Sequence, residues 1–193
     1  MTAHPCLPGI ARCFWPHPSP SAPGIWALLD GARDPRVYPA VRDSSLEYTC
    51  LFGGELSPQW RAVAPYLVEL SPSNPYTAYL LDLAWGNSWG VFMRVADATR
   101  LRLHLKTFLR AKLADGTRVM FRYYDPRVLR AYLPTCNIDE LRTVFGPVNH
   151  YLIESGDGGE VIEFGLAGTQ LSARRFAVND AVEPASPEPA SPC

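Results

Sequence analysis

Residues 117–147 read TRVMFRYYDPRVLRAYLPTCNIDELRTVFGP, and the succession inside that stretch sets the fold class. Residues 117–124 are rich in β-branched and aromatic side chains, the composition of a strand. Asp125 and Pro126 end it with an acidic cap and a proline at the first helical position, where the missing N–H costs nothing. Val128, Leu129 and Tyr132 supply that helix's apolar face. Asn137 and Glu140 then have capping-box spacing, Ile138, Leu141, Val144 and Phe145 follow at helical spacing, and Gly146-Pro147 is the stop.

The same handover from strand to helix recurs upstream. Residues 25–29 (IWALL) form a short apolar run closed by Asp30 and Gly31, and Asp34-Pro35 reads as the start of a helix. Residues 48–52 (YTCLF) make a second strand stopped by Gly53 and Gly54, and residues 66–70 (YLVEL) a third. Asn74-Pro75 opens a helix with Tyr76, Tyr79, Leu80 and Leu83 as its expected buried face. After a strand at 89–94 (WGVFMR), Leu101, Leu105, Phe108, Leu109 and Leu113 trace one longer amphipathic helix. Residues 150–154 and 160–164 pair around the Gly-Asp-Gly-Gly turn at 156–159. Strands alternating with helices predict an α/β fold, with a mixed sheet containing some parallel pairing and a C-terminal antiparallel hairpin.

The chain has 193 residues, 47% hydrophobic and 19% charged, which suits one globular domain with tails and excludes wholesale disorder. Six of the 19 prolines fall in residues 1–23 and four in 184–192. This divides the chain into a proline-rich N-terminal extension (1–23) in which regular structure is not expected, a single α/β domain (24–180) and a disordered Pro/Ala/Ser/Glu tail (181–193). No apolar run approaches the ~18 residues of a membrane span, and the N-terminus makes a poor secretory signal. A cytoplasmic location follows as the default, and five scattered cysteines in a chain of this size point to reduced thiols.

Catalytic motifs are missing from the sequence. His4, Cys6, Cys13 and His17 lack the short chelate spacing of a structural zinc site, and no Gly-x-Ser-x-Gly elbow, P-loop or dinucleotide turn occurs. Neither a metal nor a cofactor is expected. Charge is more informative. Eighteen Lys and Arg oppose 19 Asp and Glu for a net −1, so no global field attracts nucleic acid or an anionic membrane. Yet residues 94–130 carry ten basic residues against three acids, while residues 137–193 carry nine acids against three basic residues. The two regions face one another, solvate opposite surfaces, or present a docking face for a protein, a use that suits a basic set made mostly of arginine.

Three blocks complete the reading: residues 27–32 (ALLDGA), 48–60 (YTCLFGGELSPQW) and 121–136 (FRYYDPRVLRAYLPTC). Together with 89–94 and the leucine-rich stretch after it, they make the region 27–148 resemble the type VI secretion effector chaperones, or adaptors, of Tap or Tec type, formerly a domain of unknown function. The resemblance implies a bacterial cytoplasmic protein, not an enzyme, that binds one toxic effector and helps mount it on the spike protein VgrG. It implies neither nucleic-acid binding nor membrane insertion. The family's motif residues here are Asp30, Gly31, Gly53, Gly54, Arg122, Tyr124, Asp125, Pro126, Arg127, Leu129 and Pro134. Arg122, Tyr124, Asp125, Arg127 and Arg130 are the candidate partner-binding set; Asp30, Gly31, Gly53, Gly54, Pro126, Leu129 and Pro134 are read as structural. The alternative is a small α/β enzyme with an active site at strand ends near Asp30, Asp125 and Arg127.

Overall fold

The strand at Gly24–Asp30 (β1) lies at the heart of the molecule, with Ile25, Ala27 and Leu29 entering one hydrophobic core and Leu28 the other. The computed structural model describes residues 7–17, 19, 21–112 and 115–178. After α1 (Leu7–Phe14) and β1, the chain runs through α2 (Val37–Arg42), β2 (Tyr48–Cys50), α3 (Pro58–Ala62), β3 (Pro65–Leu70), α4 (Pro75–Ala84) and β4 (Gly90–Val95). It continues with α5 (Leu101–Thr107), β5 (Arg110–Lys112), β6 (Arg118–Met120), α6 (Pro126–Tyr132), a 3-10 turn at Leu133–Thr135 and α7 (Ile138–Phe145). The strands β7 (His150–Glu154), β8 (Glu160–Ala167) and β9 (Gln170–Ala177) close it.

Seven strands form one sheet in the order β2-β3-β1-β4-β7-β8-β9, and β5 with β6 makes a separate hairpin. The α/β class and the C-terminal antiparallel hairpin hold; the expected parallel pairing does not, because every pairing among the described strands is antiparallel. The reason is topological. The helical crossovers do join strands that run the same way, β1 with β2 and β3 with β4, but each skips a position that another strand fills. The first four strands thus have the split β-α-β-β-α-β order.

Helices α1, α2 and α4 cover one face, where Ile10, Phe14, Val37, Val41, Leu80 and Trp85 meet the sheet. Helices α5, α6 and α7 cover the other with Leu101, Leu105, Leu129, Leu141, Val144 and Phe145. Burial of β1, β3, β4, β7 and β8 on both sides explains why these strands read as continuous apolar runs rather than alternating ones.

Several local expectations are met. Asn74 caps α4 by accepting the Tyr76 N–H at 2.9 Å, Asp125 caps α6 through the Arg127 N–H at 2.9 Å, and the Asn137/Glu140 capping box closes in both directions. Others are corrected. Asp34 organises a turn through the Arg36 N–H at 2.8 Å, and α2 begins only at Val37. On α4 the buried face is Thr77, Leu80, Leu81 and Ala84, so Tyr76 and Tyr79 are exposed and pack edge to face on the surface. Thr77 turns inward because its Oγ1 accepts the Ser71 N–H at 3.1 Å.

The helix expected along 101–113 stops at Thr107; Leu113 lies outside the described residues. The Tyr123 hydroxyl donates to the Leu105 carbonyl at 2.7 Å, where a continuing helix would bring the Leu109 N–H, and Leu109 instead donates to Lys106 O at 3.4 Å. The strand expected over 117–124 shrinks to β6, since Tyr123 and Tyr124 turn into the core. Within the proline-rich start, α1 forms because Pro8 occupies its first turn and residues 9–14 contain no other proline. A Cβ at Gly9 would collide with the Val178 backbone, so glycine lets α1 lie against the end of β9. The tail from 181 lies outside the described residues.

Candidate functional site

Asp30, Trp89, Glu154 and Glu160 all sit at the same end of the sheet, where β1 and β7 finish and β4 and β8 begin. Asp30 is 1% exposed. Its Oδ1 accepts the Ala32 N–H at 3.0 Å, and its Oδ2 accepts from Arg122 Nη2, which is delivered by the loop between β6 and α6. Gly31 is required next to it, because a Cβ there would stand 2.6 Å from Ala64 O and 2.7 Å from Ala62 O.

Asp125 accepts three hydrogen bonds from Arg127: the backbone N–H and Nε on Oδ1, both at 2.9 Å, and Nη2 on Oδ2 at 2.6 Å. Burial pushes the Asp125 carboxyl up, but the Arg127 hydrogen bonds and charge outweigh it and leave the group below the ordinary carboxylate value. Burial also raises the Tyr124 phenol to about 12, which keeps it protonated at neutral pH. One helical turn beyond Arg127, Arg130 donates from Nη1 to the Glu154 carbonyl at 2.7 Å. The Glu154 side chain accepts the Gly86 N–H at 2.6 Å, and the Ser88 N–H and hydroxyl both at 2.9 Å. Its carboxyl is raised by burial against those bonds.

The result is a seam of three carboxylates (Asp30, Asp125, Glu154) and three guanidiniums (Arg122, Arg127, Arg130) that ties α6 to the ends of β1 and β7. Of the partner-binding candidates, Tyr124 and Asp125 are buried, Arg122 and Arg130 are engaged within the chain, and Arg127 holds Asp125 while exposing half its side chain. Pro126 and Leu129 are buried in α6, whereas Pro134 is exposed in the 3-10 turn. All three carboxylates receive hydrogen bonds from within the chain, while Arg122 Nε and Trp89 Nε1, at the same end of the sheet, are buried without a hydrogen-bond partner among the described residues. Among the described residues no cluster of His, Cys, Asp and Glu is arranged to hold a metal, and no helix is long and apolar enough to cross a membrane.

The other two motif glycines lie elsewhere. Gly54 is exposed with φ +80°, and Gly53 lines a groove bounded by α3, the end of α5 and the β5–β6 hairpin. Leu51, Phe52, Leu56 and Leu109 form its floor, Trp60 and Met120 its exposed walls, and Lys106 and Arg110 its rim. Sequence reading misses this groove for two reasons: α3 is only five residues long, and the stretch 101–113 reads as one helix although its break at Thr107 creates one wall. The available signal is Ser57-Pro58, the same cap-and-proline device as Asn74-Pro75, placed just before Trp60.

The structure also divides the basic stretch. Arg94 pairs with buried Glu163 at 2.6 Å, and Arg122, Arg127 and Arg130 enter the seam. Arg102, Lys106, Arg110 and Arg118 make no ion pair among the described residues, and neither does Arg61 on α3.

A family model described as a domain of unknown function (DUF4123) matches residues 25–143. The matched segment opens at β1, runs into α7 and contains the groove, together with every seam residue except Glu154. No curated protein and no solved structure matches the chain. Since the match covers well over half of the chain, across the face bearing α5 to α7 and the first four strands, the protein belongs to the DUF4123 family.

Proposed function

We propose that this protein is a cytoplasmic chaperone or adaptor of bacterial type VI secretion, which binds a toxic effector and helps load it onto the VgrG spike without catalysing a reaction. The observation that supports this reading is membership of the DUF4123 family over residues 25–143, a span that contains the ALLDGA, YTCLFGGELSPQW and FRYYDPRVLRAYLPTC blocks by which the sequence resembles the effector chaperones. The physical features agree with a binding role. The seam's carboxylates are held by hydrogen bonds inside the chain, while Lys106 and Arg110, which make no ion pair among the described residues, and exposed apolar side chains line the groove. Arg127, half exposed at the start of α6, is a contact for the partner in this reading.

The test is affinity capture of the tagged full chain from its own bacterium at native expression, followed by quantitative mass spectrometry. Stoichiometric recovery of a spike protein and a toxin-like chain is the expected result. Recovery of neither, from cells that assemble the secretion system, would overturn the reading and turn attention to small-molecule ligands.

A further inference from the structure

Three surface features compete for a further role. The concavity between α2 and α4 has apolar walls at Tyr76, Tyr79 and Leu83, but its charges are paired with each other: Arg36 with Asp34 at 2.7 Å and Arg42 with Asp43 at 2.6 Å. The pocket between α1 and β9 is rich in arginine, yet Glu163 takes both Arg94 and Arg174, and Glu160 takes Arg175. The groove under α3 differs from both, because it combines an apolar interior with cations, Lys106 and Arg110, that make no ion pair among the described residues.

From this we infer that the groove between α3, α5 and the β5–β6 hairpin is a docking site for an acidic amphipathic segment of a partner protein. It encloses about 560 Å3. Its floor is aliphatic and aromatic, and Trp60 and Met120 remain 60% and 47% exposed. Trp, Met and Arg are the side chains enriched at protein interfaces, and a large exposed aromatic beside a recess is the usual form of an anchor point. Lys106 and Arg110 stand on the rim. A segment with apolar side chains on one face and carboxylates along its margins satisfies both features at once, in the helix-in-groove manner.

Other occupants fit less well. The chain's own end at 183–193, EPASPEPASPC, is acidic but has no large apolar side chain to enter the recess. A small molecule needs most of its surface buried, which walls as exposed as Trp60 and Met120 do not provide. Single-stranded RNA calls for flat aromatic platforms, whereas the two aromatic rings of the lining, Phe52 and Trp60, pack edge to face on one another and Leu51, Leu56, Leu109 and Met120 are aliphatic or thioether side chains. The inference rests on the adaptor reading only for which protein carries the segment.

Two synthetic helical peptides with the same Leu/Phe face, one bearing Glu and the other Lys along its margins, are titrated into the full chain and followed by fluorescence anisotropy. The Glu peptide is expected to bind at least about tenfold more tightly than the Lys peptide, with the difference shrinking as salt rises. Lys106→Glu combined with Arg110→Glu, and separately Met120→Asp, should each weaken the Glu peptide at least about tenfold while the melting temperature stays near that of the parent chain. Equal binding of the two peptides, or binding unchanged by either variant, would sink the proposal. So would tighter binding of an RNA oligonucleotide or anionic vesicles than of the Glu peptide, or loss of the groove to self-association seen by light scattering. Capture from cells keeps the two readings apart. A spike and toxin recovered equally by the parent chain and the Met120→Asp variant would overturn the groove and leave the adaptor standing; failure of the parent chain to recover either would overturn the adaptor, while the peptides still decide the groove.

Discussion

Arg122 reaches across 92 positions of sequence to place a guanidinium on the buried carboxylate of Asp30. Asp30 ends the central strand and Arg122 lies just before α6, so this one pair pins the helical layer to the sheet. A buried carboxylate in this position depends on its partner, since burial of an unpaired charge is costly.

Removing that partner therefore destabilises the fold. Arg122→Ala leaves Asp30 with only the Ala32 N–H and is expected to cost about 1.5–3 kcal/mol, the range for a hydrogen bond to a charged group. Urea unfolding should show a lower midpoint with an unchanged slope. Arg122→Lys should recover part of the lost midpoint; no recovery of the midpoint would show that the charge is not what matters.

Glu163 governs acid sensitivity on the opposite side of the sheet. Burial pushes its carboxyl up, but hydrogen bonds from Arg94 and Arg174 prevail and hold it below the ordinary Glu value of 4.5, with His150 also facing it. A lowered carboxyl contributes stability that is present above that ordinary value and is lost as the pH falls through the lowered one. Melting temperature should drop as the medium is acidified below about pH 4.5. The Glu163→Gln variant should be less stable at neutral pH and show a shallower acid decline; an equally steep one would assign the sensitivity to other groups.

Glycines 31 and 53 share the family motif but occupy different environments. At Gly31 an added methyl meets two backbone carbonyls, whereas at Gly53 the nearest atom is Lys106 Nζ at 3.7 Å. Gly31→Ala is expected to cost about 1–3 kcal/mol by overpacking, and Gly53→Ala to stay within about 0.5 kcal/mol. Thermal melts of the two variants check the contrast, and equal effects would contradict it.

The capping box on α7 offers a purely local comparison. Asn137 accepts the Asp139 and Glu140 N–H groups, both at 3.0 Å, while Glu140 accepts the Asn137 N–H at 2.7 Å. Asn137→Ala should cost about 1 kcal/mol, measurable by chemical denaturation. A neutral result would mean that core packing of Leu141, Val144 and Phe145 alone holds the helix.

How far the fold can be read in advance depends on the range of the interaction that sets each feature. The starts of α4, α6 and α7 are legible because a side chain and the N–H it captures lie within three residues of each other. The end of α5 is not, because the hydroxyl that occupies the Leu105 carbonyl in its last turn belongs to Tyr123, 18 positions away. Likewise Ser57-Pro58 repeats a legible signal, but a helix of five residues has no periodic face to reveal it. The seam is legible in its members and not in its use: Arg122 and Arg130 read as a surface patch until the strand order brings Asp30 and Glu154 beneath them.

Sequence alone thus determined the strands β1, β3, β4, β7 and β8, the capped starts of α4, α6 and α7, and the surplus of arginine over residues 94–130, since each follows from neighbouring residues and local hydrogen bonds. Tertiary structure decided that the described strands pair only antiparallel, because β3 lies between β2 and β1, and β1 between β3 and β4, separating the strands that the crossovers would otherwise have set side by side. It also sorted the arginines. Those facing a buried acceptor from a distant strand became part of the frame, and those without one remained as the cationic margin of an apolar groove.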